Sequence, residues 1–365
     1  MVFTVARFNL VDPGATPEAL AARYRAALEM AAYADDRGVD TIQTEEHHGA
    51  ENNWLPSPFV FAGAVLGSTR RIAVTVSAII GPLYDPLRLA EDIAVLDLIG
   101  RGRLMTVAGI GYRPEEYEQL GVEWTRRGRL QDELLETLLT AWTGEPFTYR
   151  GRTVRVTPRP YTQPHPMLLV GGSSRAAARR AARLGLPFFP SAHLPELEAY
   201  YHEQRERYGT EGWTMMPAKQ TPLLHLARDP DRAWAEYGEH FLHEARMYAS
   251  WQSKDIRSAV RSKATTVGEL RDEGVYRIVT PEECVALGGD SLVLHPLCGG
   301  MPVDEGWRSL QLFAESVLPR LTSWTSSGTY APPGSPVEPP RAHTHCPGSR
   351  AEPGQFRSEE RGSGD

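Results

Sequence analysis

Apolar and polar positions alternate in short blocks along most of the chain, and the blocks switch between a two-residue and a roughly 3.6-residue period. Residues 2–10 are rich in β-formers and stop at the turn Asp12-Pro13-Gly14, which predicts a first strand. Thr16 as N-cap, Pro17 at the first helical position and Gly38 beyond Arg37 then frame an alanine-rich helix. A second strand follows over 41–45. The same start signal returns in Ser57-Pro58, before a helix over 59–69, and in Asp85-Pro86, before a helix over 87–98, with a strand over 72–79 between them. The alternation continues as strand 104–108, helix 126–142, strand 167–170 and helix 174–184. It goes on through strand 186–189 with helix 195–208 and strand 220–226 with helix 230–247, and ends in strand 291–294 with helix 303–317.

About eight strand-helix units in this length predict an α/β fold of the (β/α)8 TIM-barrel type, residues 1–322, with an open doubly wound sheet as the alternative. Two stretches stand outside the alternation. Residues 144–166 carry a Tyr149-Arg150-Gly151-Arg152 turn and predict a small hairpin, and residues 248–277 form a polar excursion; both are placed to cover the barrel mouth. Residues 323–365 are dominated by Pro, Gly, Ser and charge, which predicts a disordered tail.

Composition narrows the partners. The 365 residues are 41% hydrophobic, enough for a large core, and the formal net charge of -7 comes without a long basic run. This disfavours nucleic acid and anionic membrane and favours a small molecule. Cys284, Cys298 and Cys346 lie far apart with no CxxC pair, as expected of a reducing compartment. With no signal-like start and no apolar run long enough for a bilayer, the expected location is the cytoplasm.

Three segments carry candidate chemistry. Thr44-Glu45-Glu46-His47-His48 follows a strand, where barrel enzymes place catalytic side chains, and imidazoles titrate near neutral pH. The alternatives are a pair of satisfied polar side chains and, more weakly, a metal site. Gly171-Gly172-Ser173-Ser174-Arg175 joins an apolar strand to a helix start, a geometry that suits a phosphate, against a bland loop. Gly109-Ile110-Gly111 begins like a dinucleotide fingerprint, but Pro114 fills the third glycine position, leaving either close approach of a flat cofactor or a tight turn. Trp213, Trp234 and Trp251 could line an aromatic substrate pocket, but aromatic residues in helices are more often core and they are given no site role, and His343, His345 and Cys346 read as a fortuitous cluster in the tail.

Read in order, these residues resemble the bacterial luciferase-like flavin monooxygenases. Glu46-His47-His48 is similar to that family's Glu-His-His after the second strand, and the run from Asp85 to Asp92 to its Pro-x-Arg-x-Ala-Glu-Asp helix start. Gly102-Arg103-Leu104, the glycines around 109–121 and 172–185, Thr280-Pro281-Glu282-Glu283-Cys284 and the closing Val317-Leu318-Pro319 extend the likeness over nearly all of residues 1–322. The resemblance implies a TIM barrel that binds reduced FMN, reacts it with O2 to a peroxyflavin and oxygenates a small organic substrate. A separate flavin reductase would supply the reduced flavin, and a homodimer is implied. It puts His47 at the catalytic histidine, with Glu46 and His48 beside it, Ser173 and Ser174 at the phosphate, and Ser77-Ala78 in a cis peptide beneath the flavin. Two departures stand out. Gly109 and Ile110 replace the reactive Cys and phosphate-binding Arg of luciferase itself, so the phosphate must rely on other donors. The interval 280–291 leaves only about seven residues of helix, rising ~10 Å. The alternatives in function are a deazaflavin-dependent hydride-transfer enzyme on the same fold and a flavin-binding paralogue without chemistry.

Overall fold

The computed structural model describes residues 2–253 and 256–321; the expected tail, with His343, His345 and Cys346, lies outside them. The strands are β1 (Phe3–Arg7), β2 (Thr41–Thr44), β3 (Ala73–Ile80), β4 (Leu104–Gly109), β5 (Phe147–Tyr149), β6 (Arg152–Val154), β7 (Met167–Gly172), β8 (Phe188–Pro190), β9 (Leu223–Leu226), β10 (Tyr276–Val279) and β11 (Ser291–Leu294). Nine of them form one parallel sheet in the order β10-β9-β11-β1-β2-β3-β4-β7-β8. Strands β1 to β8 follow one another in chain order, leaving aside the hairpin, and the last strand, β11, returns to pair with β1. That is the cyclic succession of a barrel, not the reversal of a doubly wound sheet.

The helices begin where the sequence signals them. Thr16 accepts a hydrogen bond from Ala19 N at 3.3 Å, and Asp85 accepts from Leu87 N and Arg88 N at 3.0 and 3.1 Å, each one residue before a helix-leading proline. These helices cover the sheet on one side and turn their apolar stripes inward. Ala27, Met30, Ala31 and Ala34 of helix Pro17–Arg37 are fully buried, as are Leu89, Ala90, Ile93 and Ala94 of helix Pro86–Gly100. The hairpin β5–β6 forms over the expected turn, with Arg150 and Gly151 both at positive φ, 47° and 77°. Helix Pro281–Leu287 has seven residues, held at its start by a reciprocal Thr280/Glu283 capping box.

Two expectations need correction. The sheet has nine strands rather than eight, because β10 starts at the end of the polar excursion and pairs with β9, Tyr276 opposite Leu223 through Val279 opposite Leu226. Tyr276, Ile278 and Val279 are buried, but a four-residue strand carrying Arg277 is too short for its period to register. The excursion is also less irregular than expected. Helix Pro230–Trp251 runs four residues further, and Val267–Glu273 is a helix of its own. Among the described residues no helix is long and apolar enough to cross a membrane.

Candidate active site

The C-terminal ends of parallel strands share one rim, so side chains from distant segments meet there. Beyond β2 the chain leaves the sheet, and Leu55 N donating to Asn9 O (2.9 Å) and His47 N donating to Leu55 O (3.2 Å) fix the backbone at the first histidine. His47 is buried, 6% exposed. Its Nδ1 donates to Glu116 Oε1 at 2.9 Å, which leaves Nε2 to accept from the Tyr112 hydroxyl at 3.0 Å. Burial would raise the Glu116 carboxyl, but His47, the His48 N–H and Arg113 hold it below the usual carboxylate range. Glu116 is therefore a fixed negative charge behind the imidazole. Burial, followed by the Tyr248 phenol, raises Tyr112 well above its ordinary value, so its hydroxyl keeps its proton.

Four aromatic rings surround His47. Trp251 lies 4.7 Å away between ring centres, Trp54 5.2 Å, Tyr112 5.6 Å and Tyr248 6.1 Å. Trp251, read from sequence as core, stands at this site, because helix Pro230–Trp251 carries it there; Trp234 is a core residue as expected, 5% exposed. Arg113 packs over the Trp251 ring at 4.1 Å and pairs with Glu116 at 3.2 Å. Beside them opens a cavity of about 260 Å³, lined by Gly49, Ala50, Glu51, Arg113, Met247 and Trp251.

Glu46 faces the other way. It accepts from Ile80 N at 2.8 Å, the Tyr84 hydroxyl at 2.9 Å and His48 Nε2 at 2.7 Å, tying the second strand's exit to the end of β3. Burial opposes a charge on His48, yet its hydrogen bond to Glu46 and the charges of Glu46 and Glu116 raise its pKa above the ordinary value. At that end of β3 the Ser77–Ala78 peptide is cis, and Gly109 sits opposite Ile80. A Cβ at Gly109 would come within 3.3 Å of the Ala78 methyl, so a side chain there would crowd the end of β3. Gly111 has φ 65° and carries the chain back to Tyr112, so the Gly-x-Gly makes the turn that brings the phenol to His47.

One strand further, Gly171 and Gly172 end β7, and Ser173 and Ser174 lead into the ten-residue helix Arg175–Leu184. A Cβ on Gly172, at φ 142°, would meet Ala177 Cβ at 3.0 Å. Ser174 caps the helix by accepting from Ala177 N at 3.3 Å. The excursion reaches this turn as well: Arg257 pairs with Glu196 and donates to Ser173 O at 3.4 Å, while Ala259 N donates to Ser191 O at 2.9 Å. A tight glycine turn at a helix start, with hydroxyls and a guanidinium beside it, fits a phosphate.

Sequence reasoning missed Glu116 and Tyr112, which stand 69 and 65 positions from His47. It also missed a buried network beneath the rim. Arg7 binds Glu45 through two donors and Glu244 Oε1 at 3.0 Å, and Glu244 also accepts from His295 Nε2 (3.0 and 3.1 Å), Gly299 N (2.9 Å) and Cys298 Sγ (3.3 Å). Glu244, His295 and Cys298 are close enough to share a cation, but Glu244 is already engaged by these donors, with the Arg7 charge beside it.

Comparison with known proteins bears on the family and the fold. The family model of luciferase-like monooxygenases matches residues 1–286. An FMNH2-dependent dimethylsulfone monooxygenase from Pseudomonas putida is 27% identical over 183 residues, 48% of this chain and 50% of that one. The chain spans about half the length of the first curated relatives it matches. The crystal structure of monooxygenase RslO1 from Streptomyces bottropensis superposes with a TM-score of 0.68 at 26% identity, covering 87% of this chain and 99% of that one. An F420-dependent secondary alcohol dehydrogenase shares the fold, with a TM-score of 0.59 at 17% identity, covering 88% and 99%.

Proposed function

Because the chain belongs to the luciferase-like monooxygenase family, we propose that it is the oxygenase component of a two-component FMN-dependent monooxygenase acting on a small organic substrate. The observation that carries the reading is a glycine turn at a helix start, Gly171 to Ser174, on the same rim as the buried His47–Glu116 pair. When bound, reduced FMN supplies the two electrons with which O2 delivers one oxygen atom to the substrate and the other to water.

The chain's own residues hold, orient and move protons. Ser173, Ser174, the helix-start N–H groups and Arg257 hold the phosphate, in place of the arginine whose position Ile110 takes. Ala78 and Gly109 offer the small residues against which the ring packs. His47 is the general acid/base, with Glu116 fixing its tautomer and Tyr112 at Nε2; His48 and Glu46 brace the loop on which it sits. A separate reductase delivers the flavin. Val60, Val95 and Ile99 are exposed on helices Pro58–Ser68 and Pro86–Gly100 and favour pairing of two copies.

The test is a titration of the protein with FMN, riboflavin and the deazaflavin F420, followed by turnover with NADH and a flavin reductase. FMN should bind far more tightly than riboflavin. His47→Ala should keep FMN affinity and oxygen consumption, while product falls by on the order of 10²-fold and peroxide takes its place. Equal riboflavin and FMN affinities would remove the phosphate assignment. Binding of F420 with rejection of FMN would favour the deazaflavin alternative, and wild-type product formation by the variant would return His47 to a structural role.

A further inference from the structure

His47 has neither a free nitrogen nor much free surface. Nδ1 is held by Glu116 at 2.9 Å and Nε2 by the Tyr112 hydroxyl at 3.0 Å, and among the described residues the imidazole makes no other hydrogen bond. Trp54, Trp251 and Tyr248 wall off the rest of the ring and pack on one another, Trp54 with Tyr248 at 5.8 Å and with Trp251 at 5.2 Å. Glu116, on the Nδ1 side, is buried, whereas Tyr112 is partly exposed. The polar path out of the imidazole therefore runs through the Tyr112 hydroxyl.

Strand order puts that hydroxyl in a telling place. β2, β3 and β4 are neighbours in register. His47 comes from beyond β2 and Tyr112 from beyond β4, so their hydrogen bond bridges the end of β3. Both approaches are pinned to one residue there: Glu46 accepts from Ile80 N at 2.8 Å, and a Cβ on Gly111 would come within 2.9 Å of Ile80 Cγ2. Ala78, two positions earlier on the same strand, is one of the small residues proposed to meet the ring of the cofactor. A phenol oxygen, unlike an indole nitrogen, both donates and accepts, so it can give up one proton while it takes another.

We infer that Tyr112 is the relay through which His47 exchanges protons with the reacting groups, the phenol and not the imidazole being the group that meets them. When His47 acts as a base, the Tyr112 O–H breaks and Nε2–H forms, while the phenol oxygen takes a proton from the donor on the reactant side. Tyr112 ends neutral, as it began, and the positive charge appears on the imidazole against the ionised Glu116. When His47 acts as an acid, the same bonds form and break in reverse. The inference rests on the flavin monooxygenase reading of the site.

Nitrogen NMR of the histidine-labelled, flavin-free protein tests the contact, with the His47 signals identified by their loss in His47→Ala. The wild type should show a protonated Nδ1 and a hydrogen-bonded Nε2. Tyr112→Phe should keep Nδ1 protonated, because Glu116 holds it, and move Nε2 to the position of a free lone pair. Turnover with FMN, NADH and a flavin reductase, using thioanisole, cyclohexanone and decanal as oxygen-accepting probes, tests the relay. Tyr112→Phe should keep its melting temperature and FMN affinity while the ratio of product to peroxide falls by on the order of 10²-fold. In His47→Ala the same change should cost almost nothing more. 3-Fluorotyrosine in place of Tyr112, which keeps the hydroxyl, should restore most of the ratio. A change of tautomer in Tyr112→Phe would make Tyr112 an orienting group and overturn the relay, and so would a wild-type ratio of product to peroxide in that variant. A wild type that binds no FMN overturns the flavin reading instead.

Discussion

His47 takes its tautomer from its neighbours. An ionised Glu116 can only accept, so Nδ1 carries the proton and Nε2 is left to meet the Tyr112 hydroxyl. If His47 moves a proton during turnover, Glu116 acts through it and not on the substrate. Glu116→Gln should then leave FMN affinity unchanged and lower product formation by about 10- to 100-fold. In His47→Ala the same change should cost almost nothing more, because residues that act as one unit are not additive. Equal penalties from Glu116→Gln in both backgrounds, measured by product assay, would mean that Glu116 works on its own. At this scale the sequence was informative where chemistry sits on adjacent positions: Glu46, His47 and His48 follow a strand end, and barrel geometry alone puts such residues on the rim. Glu116 and Tyr112 come from the turn after β4, and no spacing rule links them to His47. Their only local signal was a turn glycine, Gly111, followed by Pro114 and two glutamates at a helix start. Trp251 was misassigned for a related reason, since an aromatic residue at a helix end reads the same whether it meets the core or a site.

Helix Arg175–Leu184 separates two tasks that neighbouring serines perform. Ser174 is its N-cap, with its hydroxyl accepting from Ala177 N, whereas Ser173 precedes the cap and makes no such bond. Ser174→Ala should lower stability by about 1 kcal/mol, seen as a lower melting temperature, and weaken FMN as well. Ser173→Ala and Arg257→Ala should weaken FMN, leave riboflavin affinity unchanged and leave the melting temperature within error, because Arg257 is half exposed and its pair with Glu196 lies at the surface. A melting-temperature loss from Ser173→Ala equal to that from Ser174→Ala would contradict this division. Elements led by Asp-Pro or Thr-Pro were readable because proline and a side-chain acceptor satisfy the same first turn, whereas at Ser57-Pro58 the proline alone marks the start, since Ser57 makes no side-chain cap. The seven-residue helix Pro281–Leu287 was legible from Thr280 and from Gly288 and Gly289. Strand β10 was not, since four residues give only two alternations and β9 alone decides that they pair.

Across the whole molecule, the ends of β1, β2, β9 and β11 and helix Pro230–Trp251 enclose charges that a hydrophobic interior tolerates only when paired. Burial alone would raise Glu244, but His295 and Arg7 hold it far below the carboxylate range, and burial of Arg7 is outweighed by Glu45 and Glu244. His225 stands beside this network, 2% exposed and edge-on to Phe241, with no partner for its Nδ1. Burial, reinforced by His295, lowers its pKa from 6.5 to about 4. The unfolded chain therefore takes up a proton near pH 6.5 that the folded chain refuses until about pH 4. Its contribution is fully present above pH 6.5, is lost as pH falls through that window, and is constant below it. At about 1.4 kcal/mol per unit, the loss amounts to roughly 3 kcal/mol, a large share of a typical domain's stability. His48 has the opposite sign, but its raised pKa moves its window above 6.5, so the two do not cancel. Urea unfolding of the wild type and His225→Leu at pH 7, 5.5 and 4.5 separates this group from the carboxylates, which titrate alike in both proteins. Relative to the wild type, the variant should gain about 1.4 kcal/mol per unit as the pH falls from 6.5 to 4.5. Parallel curves for the two proteins would mean that His225 is protonated in the folded state, and that the acid sensitivity belongs to Glu244 and its partners instead.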